Sequence, residues 1–122
     1  MNFLIVDDSS TVRRILSNAL EQIGYESVIE AENGEEALET LAAEDVDFLI
    51  TDWNMPGVDG LELIRQVRRS NGMSDMPILM VTTRGMEEDV IKAMKAQVDN
   101  YIVKPFTPDV LEEKIDTILS ES

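Results

Sequence analysis

Phe48-Leu49-Ile50-Thr51-Asp52-Trp53-Asn54-Met55-Pro56-Gly57 decides how the rest of the chain is read. An apolar strand runs straight into a carboxylate, Asp52, and cannot continue much beyond it. Pro56 lacks a ladder donor and Gly57 is free to turn. A charge is therefore presented at the end of a buried strand, where burial is costly.

Toward the N-terminus, Asn2 to Asp7 reads as a buried strand ending in Asp7-Asp8. Ser9 or Ser10 caps a helix whose Val12, Ile15, Leu16, Ala19, Leu20 and Ile23 fall on one face, and Gly24 ends it. Ser27 to Ala31 reads as a shorter, less apolar strand. After the Asn33-Gly34 turn a second helix points Ala37, Leu38, Leu41 and Ala42 inward. Its outer face (Glu35, Glu36, Glu39, Glu44) reads as a solvated one.

Toward the C-terminus, a third helix starts near Gly60, with Leu61, Ile64 and Val67 inward. Arg65, Arg68 and Arg69 are expected outward, in water or partly paired with the acidic second helix. Pro77 to Thr82 is a fourth apolar strand. A fourth helix covers roughly Glu87 to Ala96, with Val90, Ile91 and Met94 inward. Asn100 to Lys104 is the fifth strand, stopped by Pro105. Thr107 caps a last helix with Pro108 in its first turn and Val110, Leu111, Ile115, Ile118 and Leu119 as its apolar residues.

Strands alternating with amphipathic helices imply an α/β fold, a doubly wound five-stranded parallel sheet with five helices. The continuous apolar runs place the first, third and fourth strands centrally, and the mixed second and fifth at the edges. With no Pro/Gly/Ser-rich linker in 122 residues, the chain reads as one domain, 1–122. The formal net charge of −15 argues against nucleic acid and anionic membrane as direct partners. No apolar run is long enough to span a bilayer, and the N-terminus lacks a signal-peptide pattern. The absence of Cys fits the cytoplasm. The absence of His removes any histidine ligand or histidine acid–base group.

In a parallel sheet the carboxyl ends of the strands share one rim, where ligands bind. Asp7-Asp8, Asp52, Thr82 and Lys104 all fall at such ends. Each alone has an ordinary reading as a cap, a turn residue or a loop. Polar ends on four neighbouring strands of an apolar sheet are not needed for folding. Two carboxylates about 5 Å apart repel by roughly 3 kcal/mol at an effective dielectric of about 20. Such a group calls for a cation, and an oxygen-only set suits Mg²⁺. A carboxylate beside Mg²⁺, with an ammonium and a hydroxyl near it, is equipped to attack phosphorus.

Asp7-Asp8, Asp52 with Trp53-Asn54-Met55-Pro56-Gly57, Thr82, and Tyr101-Ile102-Val103-Lys104-Pro105-Phe106 resemble the receiver domain of two-component response regulators. The likeness covers essentially the whole chain. It is nearest to the single-domain chemotaxis type, through Asp8-Ser9-Ser10-Thr11-Val12-Arg13-Arg14 and Lys104-Pro105-Phe106-Thr107-Pro108 as well. The resemblance implies the flavodoxin-like strand order 2-1-3-4-5. It implies Asp52 as phosphoacceptor, charged by a histidine kinase (CheA-like) or by small acyl phosphates. Asp8, Asp52 and the backbone carbonyl of Asn54 would ligate Mg²⁺, with Asp7 acting through water. Thr82 and Lys104 would complete the catalytic set, with Lys104-Pro105 cis. Thr82 and Tyr101 would form the switch, Tyr101 turning inward as Thr82 moves.

Moving such a switch from mostly off to mostly on takes roughly 5.5 kcal/mol. Hydrogen bonds to charged groups at about 1.5–3 kcal/mol each reach that with two or three. The resemblance further implies output binding through the face of helix 4, strand 5 and helix 5, to a flagellar motor switch protein. A phosphatase is a further expected partner, and the chain is expected to be a monomer that catalyses only its own phosphorylation and dephosphorylation. Without a His, it cannot be the histidine-bearing partner of a phosphorelay. The chain also ends at the fifth helix, so no attached output domain is expected.

Two departures from the family stand out. Gln97 takes the place of a usual Gly after the fourth helix, where a left-handed residue costs about 1–2 kcal/mol, so that helix is expected to end differently. Arg84, two residues past Thr82, is expected to pair with the phosphoryl group and slow attack by water. Competing functions are a phosphate sink or a regulator of a non-flagellar target. A Mg²⁺-dependent aspartyl-phosphate hydrolase would carry a second Asp where this chain has Asn54. A flavodoxin-like cofactor binder would carry a phosphate loop where this chain has Asp7-Asp8.

Overall fold

The computed structural model describes residues 1–121. The elements alternate throughout: β1 (Phe3–Val6), α1 (Ser10–Gln22), β2 (Val28–Ala31), α2 (Gly34–Ala43), β3 (Phe48–Thr51), α3 (Gly60–Arg69), β4 (Ile78–Thr82), α4 (Glu87–Lys95), β5 (Asn100–Val103) and α5 (Pro108–Ser120). All pairs are parallel, in the order β2-β1-β3-β4-β5. The expected fold, with its three central strands and two edges, is the one observed.

The period-2 geometry of the strands splits the core in two. Phe3, Ile5, Phe48, Ile50, Leu79, Val81 and Ile102 meet Leu16 and Leu20 of α1 and Leu111, Ile115 and Ile118 of α5. The alternate residues Leu4, Val6, Leu49, Ile78, Met80 and Tyr101 meet Ala37 and Leu41 of α2, Leu61, Ile64 and Val67 of α3, and Ala93 of α4. Burying each large aliphatic side chain contributes roughly 1.5–3 kcal/mol, so these layers hold the strand tips in place. Side-chain caps start four of the helices: Ser9, Asn33, Asp59 and Thr107 each accept from a backbone N–H in the first turn. Gly60 is required for a different reason. A Cβ there would overlap the carbonyl of Asp52, so α3 starts flush against the end of β3.

Several inward assignments are corrected. Ile15 of α1, Ala42 of α2, and Ile91 and Met94 of α4 are exposed, as is Val110. On α4 the buried residue is Ala93, with Val90 half-buried. A short helix seated close to the sheet does so through its smallest side chain, and a pattern built on bulk overlooks an alanine. Arg68 is corrected in the opposite sense. Its side chain is 9 % exposed. It donates to Asp99 and to the carbonyls of Gln97, Ser74 and Met76, fastening α3 to the approaches of β4 and β5. Arg69 pairs with Glu62 of its own helix, not with the acidic α2.

The end of α4 also differs from expectation. Gln97 has a φ of 75°, the left-handed cap a glycine would normally supply. The N–H of Gln97 bonds the carbonyl of Met94, and the N–H of Val98 bonds that of Ala93. This is the Schellman pattern. The chain forms it at the end of α1 too, with Gly24 at a φ of 105°. At α4, two recovered hydrogen bonds and the buried Val98 outweigh the strain of a residue with a Cβ. Gln97→Gly is therefore expected to raise stability by about 0.5–1 kcal/mol, the relieved strain less the extra freedom of glycine in the unfolded chain, measured by urea denaturation.

Candidate functional site

The ends of β1, β3, β4 and β5 deliver their polar residues to one crevice. The Lys104 Nζ lies 2.9 Å from Asp7 Oδ2 and 3.3 Å from Asp52 Oδ2. Asp7, Asp8 and Asp52 each offer a carboxylate oxygen within 4.8 Å of the others. Asp7 is buried and Asp8 exposed, so the cluster has a dry side and a wet side. The sequence expectation that these ends converge is what the coordinates show for Asp7, Asp8, Asp52 and Lys104. Asn54 follows at the surface, beside Asp8 in an open cleft with Met55, Pro56 and Asp59.

Backbone donors fix the two inner carboxylates. The Ser9 N–H donates to Asp7 Oδ1 at 2.9 Å, and the Trp53 N–H to Asp52 Oδ1 at 2.6 Å. Each bond is possible because the strand ends there and the next amides are no longer in a ladder. Arg13 adds a brace that the sequence did not reveal. Its Nη1 donates to the carbonyl of Asp7 at 2.7 Å, while Nε pairs with Glu30 on the edge strand β2. Only its place one turn past the Ser9 cap, soon after Asp7-Asp8, hints at that role.

Burial pushes the Asp7 carboxyl above its ordinary value, and the repulsion from Asp52 adds to this. The ammonium of Lys104 and the Ser9 N–H offset it only in part. For Lys104, burial alone would lower the pKa. The bond to Asp7 and the charges of Asp52 and Asp7 outweigh it, and the ammonium titrates above its usual range. The lysine is thus held charged between two carboxylates. The Lys104-Pro105 peptide is cis.

Thr82 and Tyr101 sit next to this group. The Thr82 side chain is fully buried and its Oγ1 accepts from the Arg84 N–H at 3.4 Å, a long bond. Tyr101 is already turned inward, at 8 % exposure, with its hydroxyl donating to the Arg84 carbonyl at 2.7 Å. Burial raises its pKa to about 12, with the charge of Asp89 adding to the effect and Arg84 opposing it. The Arg84 side chain is engaged away from Asp52. Its guanidinium lies 4.4 Å from the centroid of the buried Trp53 ring, with Nε on Asn54 Oδ1 at 3.0 Å and Nη1 on Asp89 at 3.3 Å. Sequence reading placed Arg84 beside the site but not in this role. The available signal was its standing as the sole cation between Arg69 and Lys92.

Comparison with known proteins bears on this arrangement. A family model described as the response regulator receiver domain matches residues 3–116. The chain is 56 % identical over 120 residues to chemotaxis protein CheY1 of Helicobacter pylori, covering 98 % of this chain and 97 % of that one. It is 57 % identical over 120 residues to a chemotaxis protein CheY homolog of Campylobacter jejuni, covering 98 % and 92 %. Among solved structures, the chemotaxis response regulator CheY4 of Vibrio cholerae superposes with a TM-score of 0.88 at 33 % identity, over 96 % of this chain and 97 % of that one. A putative response regulator from Chloroflexus aurantiacus gives 0.92 at 38 % identity, over 98 % and 97 %. With its sheet order, its acidic rim and these likenesses together, the chain belongs to the response regulator receiver domain family of two-component signalling.

Proposed function

We propose that this chain is a phosphorylation-activated switch. Asp52 accepts a phosphoryl group from a histidine kinase of the CheA type in a Mg²⁺-dependent reaction, and the altered chain binds an output protein, the flagellar motor switch in chemotaxis. The observation that carries the proposal is the Asp52 carboxylate itself, held at a strand tip between Asp7, Asp8 and the Lys104 ammonium. The names of the relatives, chemotaxis proteins of more than half identity over nearly the full chain, support the flagellar output.

The donor set fits a hard cation: three carboxylates, oxygen-only, one of them exposed. Asp8, Asp52 and the Asn54 carbonyl would hold Mg²⁺, with Asp7 acting through water. When bound, the ion supplies positive charge against the equatorial oxygens of the transferring group. The chain does the rest. A carboxylate oxygen of Asp52 attacks phosphorus as the bond to the donor imidazole breaks, and the imidazole takes its proton from solvent. The Trp53 N–H keeps the nucleophile in one rotamer. Lys104, charged and within reach of both inner carboxylates, turns its ammonium to the incoming oxygens. The Thr82 hydroxyl, loosely held, is free to donate to the same group.

The output face takes its character from residues that α4 and β5 leave uncovered. Ile91 and Met94 lie one turn apart on α4, Met86 precedes it, and Val103 is exposed beside Gly85. Lys92 and Lys95 are exposed on the same helix. A segment mixing apolar and acidic residues suits it, as a motor-switch peptide would. The proximity of Tyr101 and the Arg84 carbonyl connects the patch to the phosphoacceptor rim.

Acetyl phosphate with Mg²⁺ is expected to add one phosphoryl group per chain by mass spectrometry, and none to Asp52→Asn. Steady turnover of a phosphomonoester would point to a hydrolase instead. Trp53 emission is expected to change with Mg²⁺ and again with acetyl phosphate, the second change alone being lost in Asp52→Asn. Mg²⁺ at ten times its Kd should stabilise the fold by about 1.4 kcal/mol, and Asp8→Asn should remove most of that gain in a thermal shift measurement. Alkaline pH is expected to act through Tyr101. Its folded pKa of about 12 lies above the ordinary 10, so the stabilisation is complete below pH 10 and is lost as pH rises toward 12. The loss amounts to about 2–3 kcal/mol, and Tyr101→Phe should flatten that part of a stability profile measured in urea.

A further inference from the structure

Arg84 joins more parts of the molecule than any role in phosphoryl binding requires. Through its side chain it touches both residues that follow Asp52 and the first turn of α4: the Trp53 ring, Asn54 Oδ1 and Asp89 Oδ1. Through its backbone it touches both switch residues, donating to Thr82 Oγ1 and accepting from the Tyr101 hydroxyl. It lies in the loop between β4 and α4, outside both the strand ladder and the helix proper. Such a loop takes its conformation from its side-chain attachments. The Arg84 guanidinium supplies three. They are of different kinds: a cation on a ring face, a planar donor on an amide oxygen, and an ion pair with a partly buried carboxylate.

A surface arginine making one such contact would contribute little. The convergence is what matters. The guanidinium binds the phosphoacceptor loop on one side and α4 on the other, and the carbonyl of the same residue is the acceptor that keeps Tyr101 buried. We propose that Arg84 is a positioning residue that couples the Asp52 loop to Tyr101: the clamp on Trp53, Asn54 and Asp89 sets the loop so that its carbonyl holds Tyr101 inward before any phosphoryl group arrives. The tyrosine of this chain is then already set, and phosphorylation adds to an output face that is partly formed. The meaning of that pre-setting for a partner rests on the function proposed above; the coupling itself is a property of the unphosphorylated chain.

The test therefore uses the full, unphosphorylated protein with fluorine-labelled tyrosine, Tyr25 serving as internal reference and Trp53 emission as a second probe. The unsubstituted chain should show Tyr101 as a single buried resonance whose hydroxyl titrates well above that of a free fluorotyrosine. In Arg84→Ala the Tyr101 resonance should move toward the position of a solvent-exposed tyrosine and titrate nearer a free fluorotyrosine, with Tyr25 unmoved and Trp53 emission shifted. Asp89→Asn should move Tyr101 part of the way. Arg84→Lys, which keeps the charge but not the planar fork, should restore the ion pair and only part of the Tyr101 position. A lower melting temperature in Arg84→Ala with Tyr101 still buried would make the residue merely structural and overturn the proposal. Failure of the unsubstituted chain to be phosphorylated at Asp52, with the tyrosine shift intact, would instead count against the function alone.

Discussion

Two carboxylates and one ammonium, drawn out of water at the rim of a parallel sheet, are the constraint to which the rest of this structure answers. Lys104 bridges Asp7 and Asp52 at 2.9 and 3.3 Å, and neither carboxylate is free of the other's field. The arrangement is not there for stability. A carboxyl whose folded pKa is raised, as that of Asp7 is, favours the protonated native state and so makes the ionised fold less stable once the pH passes the unfolded value of 3.8. Lys104 works the other way, its raised pKa stabilising the fold until strongly alkaline pH. The site is thus a compromise, with one cation serving two anions. On the function proposed above, a divalent ion and a phosphoryl group would rearrange those attractions without any need to unfold.

The two apolar layers convert that compromise into geometry. Alternate residues of each strand lock it against α1 and α5 on one side and against α2, α3 and α4 on the other. The strand tips then have no freedom to slide, and the amides of Ser9 and Trp53 fall where they bond the inner carboxylates. Gly60 belongs to the same constraint, since only a residue without a Cβ lets α3 begin against the Asp52 carbonyl. Charge at the rim and packing beneath it are two parts of one device. The β4–α4 loop is the exception. It is held by the Arg84 side chain rather than by the core, and it lies between the Asp52 rim and the surface carrying Ile91 and Met94. A segment held by a few specific contacts can change state while the layers below it do not.

Much of this was legible before any coordinates. The apolar runs of the strands, the caps at Ser9 or Ser10 and at Thr107, the Asn33-Gly34 turn, and Pro105 after Lys104 mark out the α/β alternation and its polar rim. What escaped reading has common causes. Arg68 looks like one of three solvent arginines, because nothing local says that the carbonyls of residues distant in the chain will surround it. Ile91 and Met94 look like core, because periodicity favours bulk and the short α4 instead seats itself through Ala93. Gln97 looks unfit for a left-handed cap until the hydrogen bonds it releases are counted. Arg84 is visible as a lone cation, but its partners come from the loop after β3, from α4 and from β5 at once.

By itself, then, the amino-acid order determined what depends on neighbours in the chain: which stretches are strands, where helices start, which charged residues must end up at strand tips. Parallel topology turned those tips into a shared rim, so the sequence reached as far as the company Asp52 would keep. Only the tertiary structure decided which atoms pair across it, that Asp8 faces water while Asp7 does not, and that Arg84 clamps Trp53 while its carbonyl holds Tyr101. Those outcomes are set by distances between residues far apart in the chain. At separations of a few ångströms, a small difference in position decides between an ion pair, a hydrogen bond and no contact.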